Sequence, residues 1–324
     1  MRIAFHGDNA ASFTAGFAAL LDPGAEISIL PNEIQTASDH DAFVTADVII
    51  GNRFSASLPR PSRLRLLQLP SAGYDAIDFA AVPQGAVVCN CFGHENAIAE
   101  YVMAALLQQC VPLADADRRL RRGEWAYWAG APERTHREIG GSTLGLLGFG
   151  HIGKEVARRA KAFGMSVYVA NRSPVAPSER VDRYFPLATL PAFWSSADSF
   201  VITIPLTPDT AGIVGVEAFA AMRSHAVLIN VARGPVVDEH ALYDALHDNR
   251  IGGAVIDTWY QYPTESRPNI APSARPFDTL SNILMTPHMS GWTDGTIRRR
   301  QAAMAENIRR RMHGEVCENI IHGA

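Results

Sequence analysis

Three glycines in the segment GLLGFGHIG have the spacing of a dinucleotide-binding turn. Gly148, Gly150 and Gly153 form Gly-x-Gly-x-x-Gly between an apolar strand-like run and a helical pattern, which is the context that this fingerprint requires. The first glycine permits a tight turn, the second lets the backbone approach a pyrophosphate, and the third lets the helix pack closely on the strand. A purely structural glycine turn is the alternative, but the flanking elements favour a cofactor phosphate at the helix N-terminus.

The residues after the next strand-like run bear on which dinucleotide binds. An acidic residue there would bind the ribose 2′-hydroxyl of NAD, whereas this chain has Asn171, Arg172 and Ser173. Arg172 offers a planar cation and Ser173 a hydroxyl, and both suit a 2′-phosphate. A solvated arginine in a polar turn is the other interpretation. We expect NADP to be favoured over NAD.

Two series of strand-like runs, alternating with helical patterns, are predicted to position these residues. The first series comprises residues 2–7, 26–30, 46–51, 65–70 and 86–90. The second comprises residues 143–148, 166–170, 199–204, 226–231, 253–258 and 282–287. This alternation predicts an α/β protein with two Rossmann-like or flavodoxin-like domains, each a doubly wound parallel sheet.

Length, composition and charge narrow the functional class. The 324 residues exceed what one core usually organises, and a net charge of −4 gives no reason to expect a nucleic-acid partner. The arginine runs 298–300 and 309–311 lie on the solvated side of an amphipathic helical pattern. No window approaches the roughly 18 apolar residues of a membrane span, and the four cysteines lack metal-ligand spacing. We expect a cytoplasmic protein with no metal and no membrane partner.

Seven stretches, in this order, resemble the D-isomer-specific 2-hydroxyacid dehydrogenase family over nearly the whole chain. They are SAGYDAID (71–78), NAIAEYV (96–102), GLLGFGHIG (145–153), PLTPDT (205–210), INVARGPVVDEHAL (229–242), GAVIDTW (253–259) and TPHMSG (286–291). The resemblance implies a cofactor domain, residues 97–288, inserted into a substrate domain formed by residues 1–96 and 289–324. It also implies an active site in the cleft between the domains and a homodimer.

The family pattern implies a role for several individual residues. Arg233 would bind the carboxylate and carbonyl oxygen of a 2-oxo acid through its two-pronged guanidinium, with a structural salt bridge as the alternative. His288 would give a proton to the nascent alkoxide during reduction. Asp257 would accept a hydrogen bond from the nicotinamide carboxamide, unless it is only a turn aspartate. Ala72 and Gly73 would offer backbone N–H groups to the substrate carboxylate.

Further contacts are expected at the rim of the site. Arg53 is a candidate for a second anionic or polar group of the substrate, with an exposed loop arginine as the alternative. Trp128 is a candidate to enter the substrate pocket of the partner subunit, with an apolar dimer contact as the alternative. The remaining expected cofactor contacts are His151, Ile152, Pro205, Thr210, Val231, Ala232 and Gly291.

One position departs from the family pattern. The family usually has a glutamate five residues after the aspartate, to hydrogen-bond the histidine and raise its pKa, but this chain has Tyr262. Tyr262 could orient His288 without charge, and reduction would then favour acidic pH. Alternatively, Glu265 takes this place through a bent loop. The third possibility is that no proton relay is needed, as in formate dehydrogenases of the superfamily, which share Trp259 and the Ser-Gly at 290–291.

These observations predict an oxidoreductase that reduces glyoxylate or hydroxypyruvate to the D-2-hydroxy acid with NADPH. A formate dehydrogenase-like hydride transfer is one alternative. A non-catalytic protein that senses dinucleotide and binds protein partners is another.

Overall fold

The computed structural model describes residues 1–130, 132–264 and 266–323. The chain divides into two compact units, one formed by Met1–Gly93 with Thr293–Ala324 and the other by His94–Trp292. The second unit therefore interrupts the first in sequence. From the sequence we expected these boundaries after residues 96 and 288.

Strands and helices alternate along most of the described chain. The strands are β1 (Arg2–His6), β2 (Glu26–Leu30), β3 (Val48–Gly51), β4 (Leu66–Gln68), β5 (Val87–Cys89), β6 (Thr143–Leu147), β7 (Ser166–Asn171), β8 (Arg183–Pro186), β9 (Ser199–Ile202), β10 (Val227–Asn230), β11 (Gly253–Ile256), β12 (Ile283–Met285) and β13 (Ile320–His322). The α-helices are α1 (Asp8–Ala11), α2 (Ala37–Val44), α3 (Glu95–Cys110), α4 (Leu113–Leu120), α5 (His151–Ala162), α6 (Leu190–Trp194), α7 (Val216–Ala221), α8 (Glu239–His247) and α9 (Asp294–His313).

The first unit is built on a sheet of order β13-β5-β4-β3-β1-β2. Strands β1 to β5 are parallel, whereas β13 pairs antiparallel with β5. Because side chains alternate across a strand, Ile3 and Phe5 of β1 pack with Met304 and Ile308 of α9 on one face. The other face of the sheet packs with Phe43 of α2.

The second unit is built on a fully parallel sheet of order β12-β11-β10-β9-β6-β7-β8. The strand order reverses between β6 and β9, and ligands of such sheets bind at the carboxyl edge of this switch point. The glycine turn follows β6, so the fold places it there. Buried apolar clusters cover both faces of the sheet.

The sequence prediction of six strands in this sheet was incomplete. Strand β8 has the sequence RYFP, and its arginine and proline gave no apolar run, although proline is tolerated in an edge strand. Strand β13 was missed for a similar reason, because only three residues, IIH, form it.

The described ranges contain no single helix that is long and apolar enough to cross a membrane. Helices α3 and α4 together meet the length and composition criteria, but the chain bends by 51° between them. No cluster of three or more His, Cys, Asp or Glu side chains suited to a metal ion occurs within the same residues.

Candidate active site

The three glycines of the turn after β6 have different surroundings. Gly148 has φ of +101°, and a Cβ atom there would lie 2.8 Å from a methyl carbon of Ile204. A Cβ at Gly153 would lie 2.5 Å from the carbonyl oxygen of Gly148. At Gly150, by contrast, a Cβ would have no described atom within 4 Å. The turn is therefore tight at its ends and open at its middle residue.

Helix α5 starts directly after this turn and presents backbone donors. Its N-cap is Gly150, which has no side chain to bind the first turn. The N–H groups of Ile152 and Gly153 donate no hydrogen bond among the described residues, as is usual in the first turn of a helix. Open space above Gly150 and free N–H groups at the helix start fit a dinucleotide pyrophosphate.

The polar residues at the end of β7 have different surroundings. The Asn171 side chain accepts a hydrogen bond from the N–H of Phe149 at 3.2 Å and donates one to the carbonyl of Ser173 at 2.9 Å. Asn171 thus joins the glycine turn to the end of β7. Arg172 is exposed, and no hydrogen-bond or ion-pair partner of its side chain occurs within the described chain. Its guanidinium therefore remains available to an anion.

The other predicted cofactor residues follow β9, β10 and β12 at the same edge. The Thr210 hydroxyl donates to the carbonyl of Pro205 at 2.7 Å and accepts from the N–H of Thr207 at 2.8 Å, which closes the loop after β9. Val231 and Ala232 are buried directly after β10. The carboxyl ends of neighbouring parallel strands thus supply all of these positions.

Arg233 follows β10 on a short, braced turn. The buried Asn230 accepts from the N–H of Ala232 at 3.1 Å and donates to the carbonyl of Arg233 at 3.0 Å. A Cβ on Gly234 would clash with the backbone carbonyl of Trp259, so only glycine permits this close approach. The arginine is thereby set beside the segment that follows β11.

Asp257, at the end of β11, anchors the segment that carries His288. Its carboxylate is fully buried, and Oδ1 accepts from the Thr286 hydroxyl at 2.6 Å and from the Met289 N–H at 2.8 Å. Oδ2 accepts from the Ser290 N–H at 2.9 Å. The predicted contact with the nicotinamide carboxamide stays a prediction. The structure adds a positioning function, because these three bonds hold the chain on both sides of His288.

Two aromatic residues, Trp259 and Tyr101, also hold the segment around His288 through hydrogen bonds to Thr286. The Trp259 indole N–H donates to the Thr286 carbonyl at 2.8 Å, and the Tyr101 hydroxyl lies 2.6 Å from the Thr286 hydroxyl. Because the Thr286 hydroxyl donates to Asp257, Tyr101 is the donor to Thr286. His288 itself has φ of +59°, a backbone conformation that is uncommon for a residue other than glycine and that surrounding bonds must hold.

His288 and Tyr262 form a hydrogen-bonded pair. The Tyr262 hydroxyl oxygen lies 2.9 Å from Nδ1 of His288 and accepts the backbone N–H of Trp259 at 3.0 Å. Desolvation lowers the pKa of His288, and nearby Arg233 lowers it further against the opposing effect of Asp257. Desolvation also raises the pKa of Tyr262. The pair is therefore uncharged at neutral pH.

This contact bears on the three explanations for the missing glutamate. The orientation of His288 by Tyr262 requires the hydrogen bond that the structure contains. The alternative partner, Glu265, lies outside the described residues.

The first unit carries the other predicted substrate residues. Neither the N–H of Ala72 nor that of Gly73 donates a hydrogen bond in the part of the chain that the structure describes. The Ala72 carbonyl accepts from the Asn90 amide at 2.9 Å, and the Gly73 carbonyl accepts from the Ser71 hydroxyl at 2.9 Å. The two N–H groups are thus held in place by neighbours that leave them free to donate. Arg53, two residues after the end of β3, is exposed.

A family comparison identifies the chain. The model of the D-isomer specific 2-hydroxyacid dehydrogenase, NAD binding domain, matches residues 103–290. The chain belongs to this family. It is an NAD(P)-dependent D-2-hydroxyacid dehydrogenase.

Individual members of the dehydrogenase family are similar over most of this chain. A glyoxylate reductase of Korarchaeum cryptofilum is 32% identical over 295 residues, covering 89% of this chain and 85% of the relative. D-3-phosphoglycerate dehydrogenase of Methanocaldococcus jannaschii is 31% identical over 283 residues, covering 86% of this chain. This chain spans half the length of that second relative, since the match covers 50% of it.

A solved structure of the family extends the similarity to the whole fold. A D-isomer specific 2-hydroxyacid dehydrogenase of Xanthobacter autotrophicus, in complex with NADPH and MES, matches with a TM-score of 0.80 and 26% identity. The match covers 99% of this chain and 98% of that chain. A nicotinamide dinucleotide is therefore the cofactor class of this dehydrogenase.

Sequence reasoning missed several residues that support the site in this dehydrogenase. Asn230 and Thr286 lie inside recognised motifs, but they hold the backbone near Arg233 and His288 through hydrogen bonds that a motif does not reveal. Trp259 was noted as a shared feature without a contact of its own. Tyr101 also stood inside a recognised stretch, NAIAEYV, but one tyrosine in an apolar helix is typical of a packed surface and predicts no hydrogen bond.

Proposed function

We propose that this dehydrogenase reduces a small 2-oxo acid, glyoxylate or hydroxypyruvate, to the D-2-hydroxy acid with NADPH. The observation that carries the proposal is the placement of Arg233, Tyr262 and His288 after three neighbouring parallel strands, β10, β11 and β12. A cation for the carboxylate and a proton-transfer group are thus assembled at one edge of the cofactor sheet.

In this proposal each residue acts on a different part of the substrate. The guanidinium of Arg233 binds the carboxylate and polarises the carbonyl, and the N–H groups of Ala72 and Gly73 bind the carboxylate from the substrate domain. His288 exchanges a proton with the substrate oxygen. Arg53 would bind a second polar group. The bound nicotinamide supplies the hydride.

The preference for NADPH rests on Arg172. An exposed guanidinium without a partner among the described residues, with no carboxylate at positions 171–173, suits a 2′-phosphate. A charge-assisted hydrogen bond contributes about 1.5 to 3 kcal/mol, so Arg172→Ala should lower kcat/KM for NADPH about 10- to 100-fold. The value for NADH should stay unchanged. Arg180→Ala, an exposed arginine of the same loop, is the matched control. Equal effects of both substitutions would refute the assignment.

We also propose a homodimer, to which Trp128 contributes. Leu113 and Leu120 of α4 are 74% and 52% exposed, and Trp125 and Trp128 of the following segment are 68% and 59% exposed. Large exposed apolar side chains that lie close together in the sequence in this way are typical of interaction surfaces. Light scattering should give twice the mass of the 35.2 kDa chain. Trp128→Ala should raise KM for the acid if the ring enters the substrate pocket, and should weaken only the dimer if it does not.

A formate dehydrogenase-like reaction is the second candidate. The uncharged Tyr262–His288 pair favours it, since formate loses a hydride to give carbon dioxide without passing a proton to the protein. Formate-dependent reduction of NADP or NAD would support this candidate. Cofactor binding without turnover of any tested acid would instead favour a non-catalytic protein.

A further inference from the structure

We infer that Tyr262 is the proton source for reduction and that His288 relays its proton. The Tyr262 hydroxyl passes its hydrogen to Nδ1 of His288 while the hydrogen on Nε2 of the same ring passes to the substrate oxygen. The inference rests on the proposed function, because it assumes a carbonyl substrate whose oxygen must gain a proton.

The direction of the hydrogen bonds carries the inference. The Tyr262 oxygen has two described partners, the backbone N–H of Trp259 at 3.0 Å and Nδ1 of His288 at 2.9 Å. A backbone N–H can only donate, so it occupies a lone pair of the hydroxyl. We take the hydroxyl hydrogen to be directed to Nδ1, its only other described partner. A neutral imidazole that accepts at Nδ1 carries its own hydrogen on Nε2, where a substrate oxygen can receive it.

A carboxylate at position 262 would work differently. A glutamate can only accept, so it holds a hydrogen on Nδ1 and favours the imidazolium. A tyrosine favours the neutral ring and adds a second transferable hydrogen. Among the described residues of this unit, the charged groups that act on the pair are Arg233 and Asp257. Arg233 disfavours an imidazolium and stabilises a phenolate. The Asp257 carboxylate favours the imidazolium, but its oxygens are directed to Thr286, Met289 and Ser290.

The relay is balanced in atoms and charge. As negative charge develops on the substrate oxygen, the Nε2–H bond of His288 breaks and an O–H bond forms. The O–H bond of Tyr262 breaks and an Nδ1–H bond forms. The imidazole stays neutral with its tautomer exchanged, and Tyr262 becomes a phenolate. That phenolate accepts hydrogen bonds from Trp259 and His288, and it is a much weaker base than the alkoxide that it replaces.

Recovery takes one proton from solvent, which binds Nε2 of His288 after the product leaves while the Nδ1 hydrogen returns to the Tyr262 oxygen; His288 is exposed and Tyr262 is 44% exposed. In the direction of oxidation the phenolate would be the base, so that direction should accelerate as pH rises. Reduction should keep a level kcat from about pH 6.5 to 9, because desolvation raises the pKa of Tyr262 above its ordinary value and the hydroxyl keeps its hydrogen over this range. A mechanism that relies on imidazolium alone would lose about tenfold per pH unit above the pKa of His288.

The first experiment measures kcat for reduction between pH 6 and 9.5. With Tyr262→Phe only the imidazolium remains as an acid, so the ratio of the variant's kcat to that of wild type should fall by about 100-fold or more between pH 6 and pH 8.5. Tyr260→Phe is the matched control, since Tyr260 donates to the Val237 carbonyl at 3.0 Å and not to His288. A wild-type kcat that falls tenfold per pH unit, or a Tyr262→Phe profile as level as wild type, would overturn the relay.

The second experiment needs neither substrate nor cofactor. Nitrogen-15 NMR of the imidazole side chains, assigned with His288→Gln, reports which ring nitrogen of His288 carries hydrogen. The relay requires Nε2–H in the wild type and loss of this fixed tautomer in Tyr262→Phe. An Nδ1–H tautomer in the wild type would overturn the relay even if reduction occurs. Turnover of neither oxo acid would refute the proposed function, while the spectrum would still decide the arrangement of the pair.

Discussion

Substitution of Asp257 by asparagine tests how the segment around His288 is held. The carboxylate accepts three hydrogen bonds at 2.6, 2.8 and 2.9 Å, from the Thr286 hydroxyl and the N–H groups of Met289 and Ser290. An asparagine has one acceptor oxygen, so at least one backbone N–H would face an amide donor. The remaining bonds would lose their charge assistance.

The loss of stability in Asp257→Asn can be estimated from these three hydrogen bonds. A bond to a charged group contributes about 1.5 to 3 kcal/mol and a neutral one about 1, and relief of the buried charge offsets part of the loss. We expect unfolding free energy to fall by about 2 to 3 kcal/mol, which corresponds to a Tm lower by about 5 to 10 °C. The left-handed backbone of His288 would relax, and a 1 Å shift of a catalytic group lowers kcat about 100-fold.

The assay combines calorimetry, kcat for reduction and hydrogen exchange of the Met289 and Ser290 amides in the cofactor-free protein. Asp248→Asn is the control, since Asp248 is exposed and its carboxylate contacts only its neighbour His247 among described side chains. Wild-type stability together with unchanged exchange in Asp257→Asn would refute the anchoring role. A weaker cofactor affinity alone would then support the predicted contact with the carboxamide.

The remaining predictions concern the glycine turn and the core of the first unit. Gly150→Ala should leave Tm unchanged but weaken NADPH binding about tenfold, because a Cβ there enters open space that the pyrophosphate would use. Gly153→Ala should lower both the Tm and the affinity for NADPH, because its Cβ would lie 2.5 Å from a backbone carbonyl. An unchanged Tm would contradict this prediction. The buried Asn307 binds Gln68 at 2.9 Å and Glu318 at 3.0 and 2.7 Å, so Asn307→Ala should cost about 2 to 4 kcal/mol in denaturant unfolding without changing cofactor affinity. A loss below about 1 kcal/mol would show that water replaces the amide.

Most of the fold could be predicted from the sequence because buried parallel strands are nearly continuous apolar runs. Runs such as Val48–Gly51 and Val227–Asn230 have this form and are strands in the structure. Strand β8 could not be found in this way, since RYFP lies at the sheet edge, where fewer apolar residues are needed.

The hydrogen bonds that hold the site residues in place were less predictable from the sequence than the motifs that contain those residues. The distance between Tyr262 and His288 follows from the pairing of β11 with β12, and family resemblance pointed to it. In the relay that we infer, the direction of this bond is set by the backbone N–H of Trp259, and backbone groups have no signature in a sequence. The three bonds of Asp257 reach residues 29 to 33 positions away, and they depend on a left-handed residue that is not glycine.

The most direct test of the proposed function is an initial-rate comparison of NADPH and NADH oxidation with glyoxylate and with hydroxypyruvate, for wild type and His288→Gln. We predict turnover of at least one acid, a strong preference for NADPH, and a large loss of kcat in the variant with cofactor affinity retained. Tight binding of NADPH with no oxidation by either acid would contradict the proposed function.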